Sequence, residues 1–96
     1  MKFTAAGDAR IQRRIHSDFP GYEELSPFIN QGDARFFNLE TTLNREGYCP
    51  GAAISGGTYI RTEPEVLYDL MEFGFNMTTA CNNHLLDFSY EGLYDT

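Results

Sequence analysis

The chain reads as an α/β protein, a layered sheet with flanking helices. Three observations predict this. Short apolar runs occupy residues 3–6, 34–39 and 75–80. Helical periodicity separates them, most clearly in Val66, Leu67, Leu70 and Met71. A polar cluster follows each run: Gly7-Asp8, Asn38-Leu39-Glu40 and Asn82-Asn83-His84. Strands alternating with helices favour a mostly parallel sheet.

The elements follow in order. Residues 3–6 form a short strand that Gly7-Asp8 ends. Residues 10–15 offer a helical turn or two, with Ile11 and Ile15 one turn apart. Asp18-Phe19-Pro20-Gly21 is a turn signal. A helix begins at Tyr22, or at Ser26 with Pro27 in its first position, and stops at Gly32-Asp33. Residues 34–39, with Phe36 and Phe37, make a buried second strand. Residues 41–57 form an irregular excursion, because Asn44, Gly47, Pro50, Gly51, Gly56 and Gly57 break any period. Residues 58–61 are extended. Thr62-Glu63-Pro64-Glu65 fits a capping box for the clearest helix, which Gly74 terminates. Residues 75–80 form the third strand. Ser89 is an N-cap for a last helix of about two turns, so the chain is expected to stop inside an element, as a fragment would.

In a parallel sheet the ligand site lies beyond the carboxyl ends of the strands. The three polar clusters therefore converge on one rim. Asp8 and Glu40 are acceptor-only carboxylates, Asn83 offers a carbonyl oxygen and His84 an imidazole. Hard divalent cations take such oxygens, and Mn, Fe, Zn or Ni also accept imidazole. Two such cations can activate a water for in-line attack on a phosphoester. A histidine beside them can protonate the leaving oxygen. Asp87, three residues on, can orient that ring.

Each residue also has an ordinary structural role when taken alone. Asp8 can form a turn, Glu40 can end a strand, Asn82 and Asn83 can close one, and His84 can be a satisfied structural histidine. Cys81 reads as a small buried residue, Tyr90 and Tyr94 as packing, and Arg10, Arg13 and Arg14 as a solvated face. His16 receives no role. The conjunction of clusters carries the functional reading.

Composition sets the bounds. Ninety-six residues suit one small domain, 1–96. Eight Phe and six Tyr supply core material, against disorder. A net charge of −7 argues against nucleic acid, which needs a basic stripe. Cys49 and Cys81 read as ordinary thiols. There is no signal-peptide run and no membrane-spanning run, so a cytoplasmic location is the default expectation.

These residues resemble the capsule-synthesis protein CapA family, the poly-gamma-glutamate biosynthesis proteins of the calcineurin-like metallophosphoesterase superfamily. The resemblance rests on Phe3-Thr4-Ala5-Ala6-Gly7-Asp8, on Asp33 through Asn38-Leu39-Glu40-Thr41, and on Gly74-Phe75-Asn76 through Asn82-Asn83-His84-Leu85-Leu86-Asp87. It implies the amino-terminal part of a metallophosphoesterase-like four-layer fold. It implies Asp8, Glu40 and Asn83 as metal ligands, with Glu40 bridging, and His84 facing the substrate phosphate with Asp87 behind it. Asn38 and Asn82 become supports of those ligands. The cofactors it implies are divalent metal ions (Mn, Fe, Zn or Mg), and the substrate is a phosphorylated or polyanionic small molecule.

Four departures stand out. Cys81 replaces an Ala, Ser89 stands where Gly is common, and Ala9-Arg10 after Asp8 leaves the superfamily's Asp-x-His opening unmatched. The later histidine-bearing segments that complete the metal centre are absent, so this chain is expected to hold metal weakly. A non-catalytic remnant acting as a binding or assembly module stays open beside the enzyme reading. So does an unrelated αβ domain that binds a phosphorylated ligand without metal. Self-association through an exposed sheet edge is a further expectation.

Overall fold

The computed structural model describes residues 1–55 and 57–96, so Gly56 of the irregular excursion lies outside the described residues. Strands β1 (Phe3–Ala9), β2 (Ala34–Leu39) and β5 (Met77–Thr79) form a parallel sheet in the order β1-β2-β5. Helices α1 (Tyr22–Ile29) and α2 (Val66–Phe73) flank it, and α3 (Ser89–Asp95) packs against β3 (Thr42–Leu43). The class is α/β, as the alternation predicts.

The core lies between the sheet and the first two helices. Phe37 and Leu39 of β2 pack with Ile29 of α1 and with Val66, Leu70 and Phe73 of α2. The Phe37 and Phe75 rings meet edge to face at 5.1 Å, and Tyr22 meets Phe73 at 4.8 Å, the offset geometry aromatic quadrupoles favour. At the amino end of β5, the Asn76 carboxamide accepts from Arg35 N–H and donates to the Asp33 carbonyl. That side chain fixes the register of β5 on β2.

Several expectations are corrected. β1 does not end at Gly7-Asp8. It continues to Ala9, because an irregularity between Ala5 and Asp8 absorbs the glycine within the strand. Residues 10–15 are not helical. The Ile15 N–H goes to a carboxylate oxygen of Asp69 at 2.9 Å, not to a carbonyl one turn back. Of the two starts considered, the first helix takes Tyr22, and Pro27 lies inside it. The capping box does not form. Thr62 belongs instead to β4 (Arg61–Thr62), which pairs in parallel with β3 (Thr42–Leu43). Residues 63–65 make a turn whose Glu63 and Pro64 carbonyls accept the Val66 and Leu67 N–H groups. The stripe of α2 also shifts: Met71 is exposed, and Asp69 and Phe73 are buried with Val66 and Leu70. Gly74 ends α2 at φ 118°, in the left-handed region that favours glycine.

Ser89 is the first residue of α3 and not its cap, and its hydroxyl donates to the Pro50 carbonyl. Tyr90 and Tyr94 are exposed, and so is Cys81. Cys49 is buried, and both thiols are free. No helix among the described residues is long and apolar enough to cross a membrane.

Candidate functional site

The parallel register sets the site. Asp8 of β1 lies opposite Asn38 of β2, and Asn38 lies opposite Thr79 of β5. Asn38 Nδ2 donates to Asp8 Oδ1 at 2.8 Å. Asn82, just past β5, donates from Nδ2 to Asn38 Oδ1 at 3.2 Å and to the Leu39 carbonyl at 2.8 Å. A ladder of side chains thus runs across the ends of all three strands. Asn38 can fill this place because its amide both donates and accepts.

The turn after β5 then presents the imidazole. Asn82 Oδ1 accepts the His84 N–H at 2.9 Å, an Asx-type turn. Nδ1 of His84 lies 2.7 Å from Asp87 Oδ2. Both side chains are buried, at 6% and 1% exposure. The carboxylate thus holds the ring through Nδ1. The same Asp87 oxygen accepts the Ile60 N–H at 2.8 Å, and the Asp87 carbonyl accepts the Ala52 N–H at 2.9 Å. The excursion after β2 is therefore tied to the residue that holds the histidine.

Of the predicted site residues, Asp8, Asn38 and Asn82 are joined by hydrogen bonds, and His84 and Asp87 form a buried pair attached to Asn82. Glu40 directly follows Leu39 and is half-buried, its N–H donating to the Ala9 carbonyl. Asn83 lies between Asn82 and His84 and is exposed. The donor chemistry of Asp8, Glu40, Asn83 and His84 Nε2 suits a hard or borderline divalent cation.

The sequence reading missed a second cluster. Among the described residues, His16, Asp69 and Glu72 form the grouping whose ligand atoms lie within 4.8 Å of one another and could hold a metal ion. Asp8, Glu40 and His84 are not part of it. Asp69 is 2% exposed and already accepts from Arg14 Nε at 2.8 Å, Arg14 Nη2 at 2.7 Å and Ile15 N–H. The Arg14 guanidinium holds its carboxyl below the ordinary 3.8, against the opposing effect of burial. The carboxylate in turn raises Arg14 above its ordinary value. A cation here has to share a carboxylate with a guanidinium, so the cluster serves first as a clasp between residues 14–16 and α2. Arg14 is thus a paired side chain and not part of a free solvated face. Asp69 and Glu72 are three residues apart on one helix, which is a legible signal. His16 and Arg14 carry none in sequence.

Comparison with known proteins places this geometry in context. The family model of the bacterial capsule synthesis protein PGA_cap matches residues 2–96. Two proteins of Sinorhizobium fredii (strain NBRC 101917 / NGR234), the uncharacterized proteins y4sH and y4uA, are each 34% identical over 95 residues. Those residues are 96% of this chain and 21% of each relative. The chain spans about a fifth of the length of the curated relatives it matches.

Proposed function

The chain belongs to the bacterial capsule synthesis protein PGA_cap family, and from that premise we propose that its strand-end cluster is one part of a metal-dependent phosphoesterase-type site used in capsule or poly-gamma-glutamate synthesis. The observation that carries this reading is the hydrogen-bonded ladder Asp8–Asn38–Asn82 beside the buried His84–Asp87 pair.

Asp8, Glu40 and Asn83 would hold Mn, Fe, Zn or Mg, which supplies charge neutralisation and an activated water when bound. Asn38 bonds Asp8, and Asn82 bonds Asn38 and the Leu39 carbonyl, which supports the segments that carry these ligands. Asp87 accepts Nδ1–H and leaves Nε2 of His84 to hold or give a proton at the leaving oxygen of a phosphorylated or polyanionic substrate. Burial of this pair favours one ring orientation over many, which is the preorganisation such a proton transfer needs. One amide and two carboxylates do not fill the shells of two cations. The chain alone therefore binds metal weakly.

The short donor set also supports a second reading, a non-catalytic binding or assembly module that keeps the fold. Turnover of an aryl phosphate with Mn²⁺ by intact y4sH separates the two. Substituting Ala at the positions aligned with Asn83 and His84 is expected to abolish it with the fold retained by circular dichroism. Unchanged turnover in both variants overturns the site assignment, and no turnover in the parent favours the module.

A further inference from the structure

Beyond Ala9 the chain runs on as a strap, residues 10–16, that is anchored along its length. Ile11 and Ile15 pack on the core, the Arg14 guanidinium meets Asp69 at 2.7 Å, and the Ile15 N–H goes to the same carboxylate. These anchors leave Arg10 and Arg13 exposed. Arg10 directly follows Ala9, and Glu40 directly follows Leu39, the partner of Ala9 across the sheet. Arg10 therefore stands at the rim that carries Asp8 and Glu40. The other cations are engaged or lie elsewhere. Arg14, Arg45 and Arg61 are in ion pairs with Asp69, Glu65 and Glu46. Arg35 donates to the Gly32 carbonyl, and Lys2 lies just before β1, at the opposite end of that strand. Among the described residues, Arg10 and Arg13 are the arginines with no ion pair.

We propose, on the phosphoesterase-type reading of this rim, that Arg10 and Arg13 are positioning residues that hold anionic groups of the substrate next to the reacting one. A guanidinium stays charged and presents a fork of donors that matches phosphate and carboxylate oxygens alike. Three residues of extended chain span at most about 10–11 Å. The ligand that fits is therefore a polyanion with charged groups within that reach, not a single phosphate. Anchorage of the strap by Ile11, Arg14 and Ile15 means that little order has to be gained on binding. A chain of net charge −7 otherwise repels such a ligand, so these two side chains decide which polyanions are held at the rim.

The test titrates the 96-residue chain, in EDTA and low salt, with orthophosphate, inorganic tripolyphosphate and γ-linked tetraglutamate, read by calorimetry and by amide chemical shifts. One of the two polyanions is expected to bind about tenfold tighter than orthophosphate, with shifts centred on residues 9–13 and Glu40. Which one it is assigns the anion as phosphate or carboxylate. Arg10→Gln with Arg13→Gln, whose fold is checked by circular dichroism, is expected to weaken that binding about tenfold. Arg10→Lys with Arg13→Lys is expected to restore part of it, a rescue that a merely structural role does not give, and Lys2→Gln to leave it unchanged. Equal binding of all three anions, a double Gln variant within about twofold of the parent, or shifts centred on Lys2 would overturn the proposal. With metal chelated, the readout involves no turnover. Failure here strikes the two arginines alone, and absence of turnover in y4sH strikes the metal-site reading alone.

Discussion

Replacing Asp69 with Ala removes an acceptor that ties residues 14–15 to α2. The carboxylate is 2% exposed and takes three hydrogen bonds, two from Arg14 and one from the Ile15 N–H. Losing one partner of a buried pair costs about 3–5 kcal/mol when the other charge stays buried. Arg14 is 41% exposed and can rehydrate, so the cost falls toward the buried Ile15 N–H, about 1–3 kcal/mol for an unpaired donor, plus lost packing on α2. A total of about 2–4 kcal/mol is a large share of the roughly 5–14 kcal/mol available to a chain of this size. At roughly 4–8 °C per kcal/mol, the midpoint of thermal unfolding falls by about 10–30 °C.

Circular dichroism at 222 nm measures this, with exposed Glu72→Ala as the control expected within about 0.5 kcal/mol of the parent. The pH dependence gives a second reading. The folded pKa of Asp69 lies below 3.8, so the unfolded chain takes up this proton first as pH falls. The stabilisation is complete above the ordinary value and is lost as pH drops through the folded one. The gap between parent and variant therefore closes below about pH 4. A midpoint shift under 3 °C at pH 7, or a gap that does not change with acid, would refute the clasp.

Other outcomes follow from the same structure. Asp87→Ala leaves the buried Ile60 N–H without its carboxylate and is expected to cost about 1–3 kcal/mol in urea unfolding, with faster exchange of the Ile60 amide. Gly74→Ala places a Cβ 2.3 Å from Asn30 Nδ2 at φ 118° and is expected to cost about 2–3 kcal/mol, because Asn30 must release its bonds to the Ser26 and Phe73 carbonyls. Burial, and then Asp95, push the Cys49 thiol up, so at pH 8 iodoacetamide is expected to label exposed Cys81 first, read by peptide mass spectrometry. Because Arg14 already occupies Asp69, 1 mM Mn²⁺ is expected to move the unfolding midpoint by less than about 2 °C, and a larger rise abolished by His16→Ala would show that the cluster takes the ion.

Elements with strong periodicity were legible. The continuous apolar run of β2 and the glycine stop of α2 appear in the structure as the sequence suggests. The adjacency of Asp8, Asn38 and Asn82 was also legible, because strand-helix-strand order brings successive strand ends to one rim. What escaped depends on partners distant in sequence. Two-residue strands such as β3 and β4 have no period, and only their mutual pairing defines them. Thr62 satisfies the pattern of a helix cap, yet the strand pairing claims it. Asp69 resembles an ordinary solvated helix residue until Arg14, distant in sequence, reaches it. The reading of Met71 as core failed for the related reason that the true stripe includes a buried charge.

A single oxygen, Oδ2 of Asp87, answers both an imidazole and a backbone amide. The irregular polypeptide between Leu43 and Ile60 is thereby more than a connector. Any insertion, cleavage or bound molecule that tugs the Ile60 peptide also tugs the atom steadying the His84 ring. Variation along that loop would then be felt at the His84 ring.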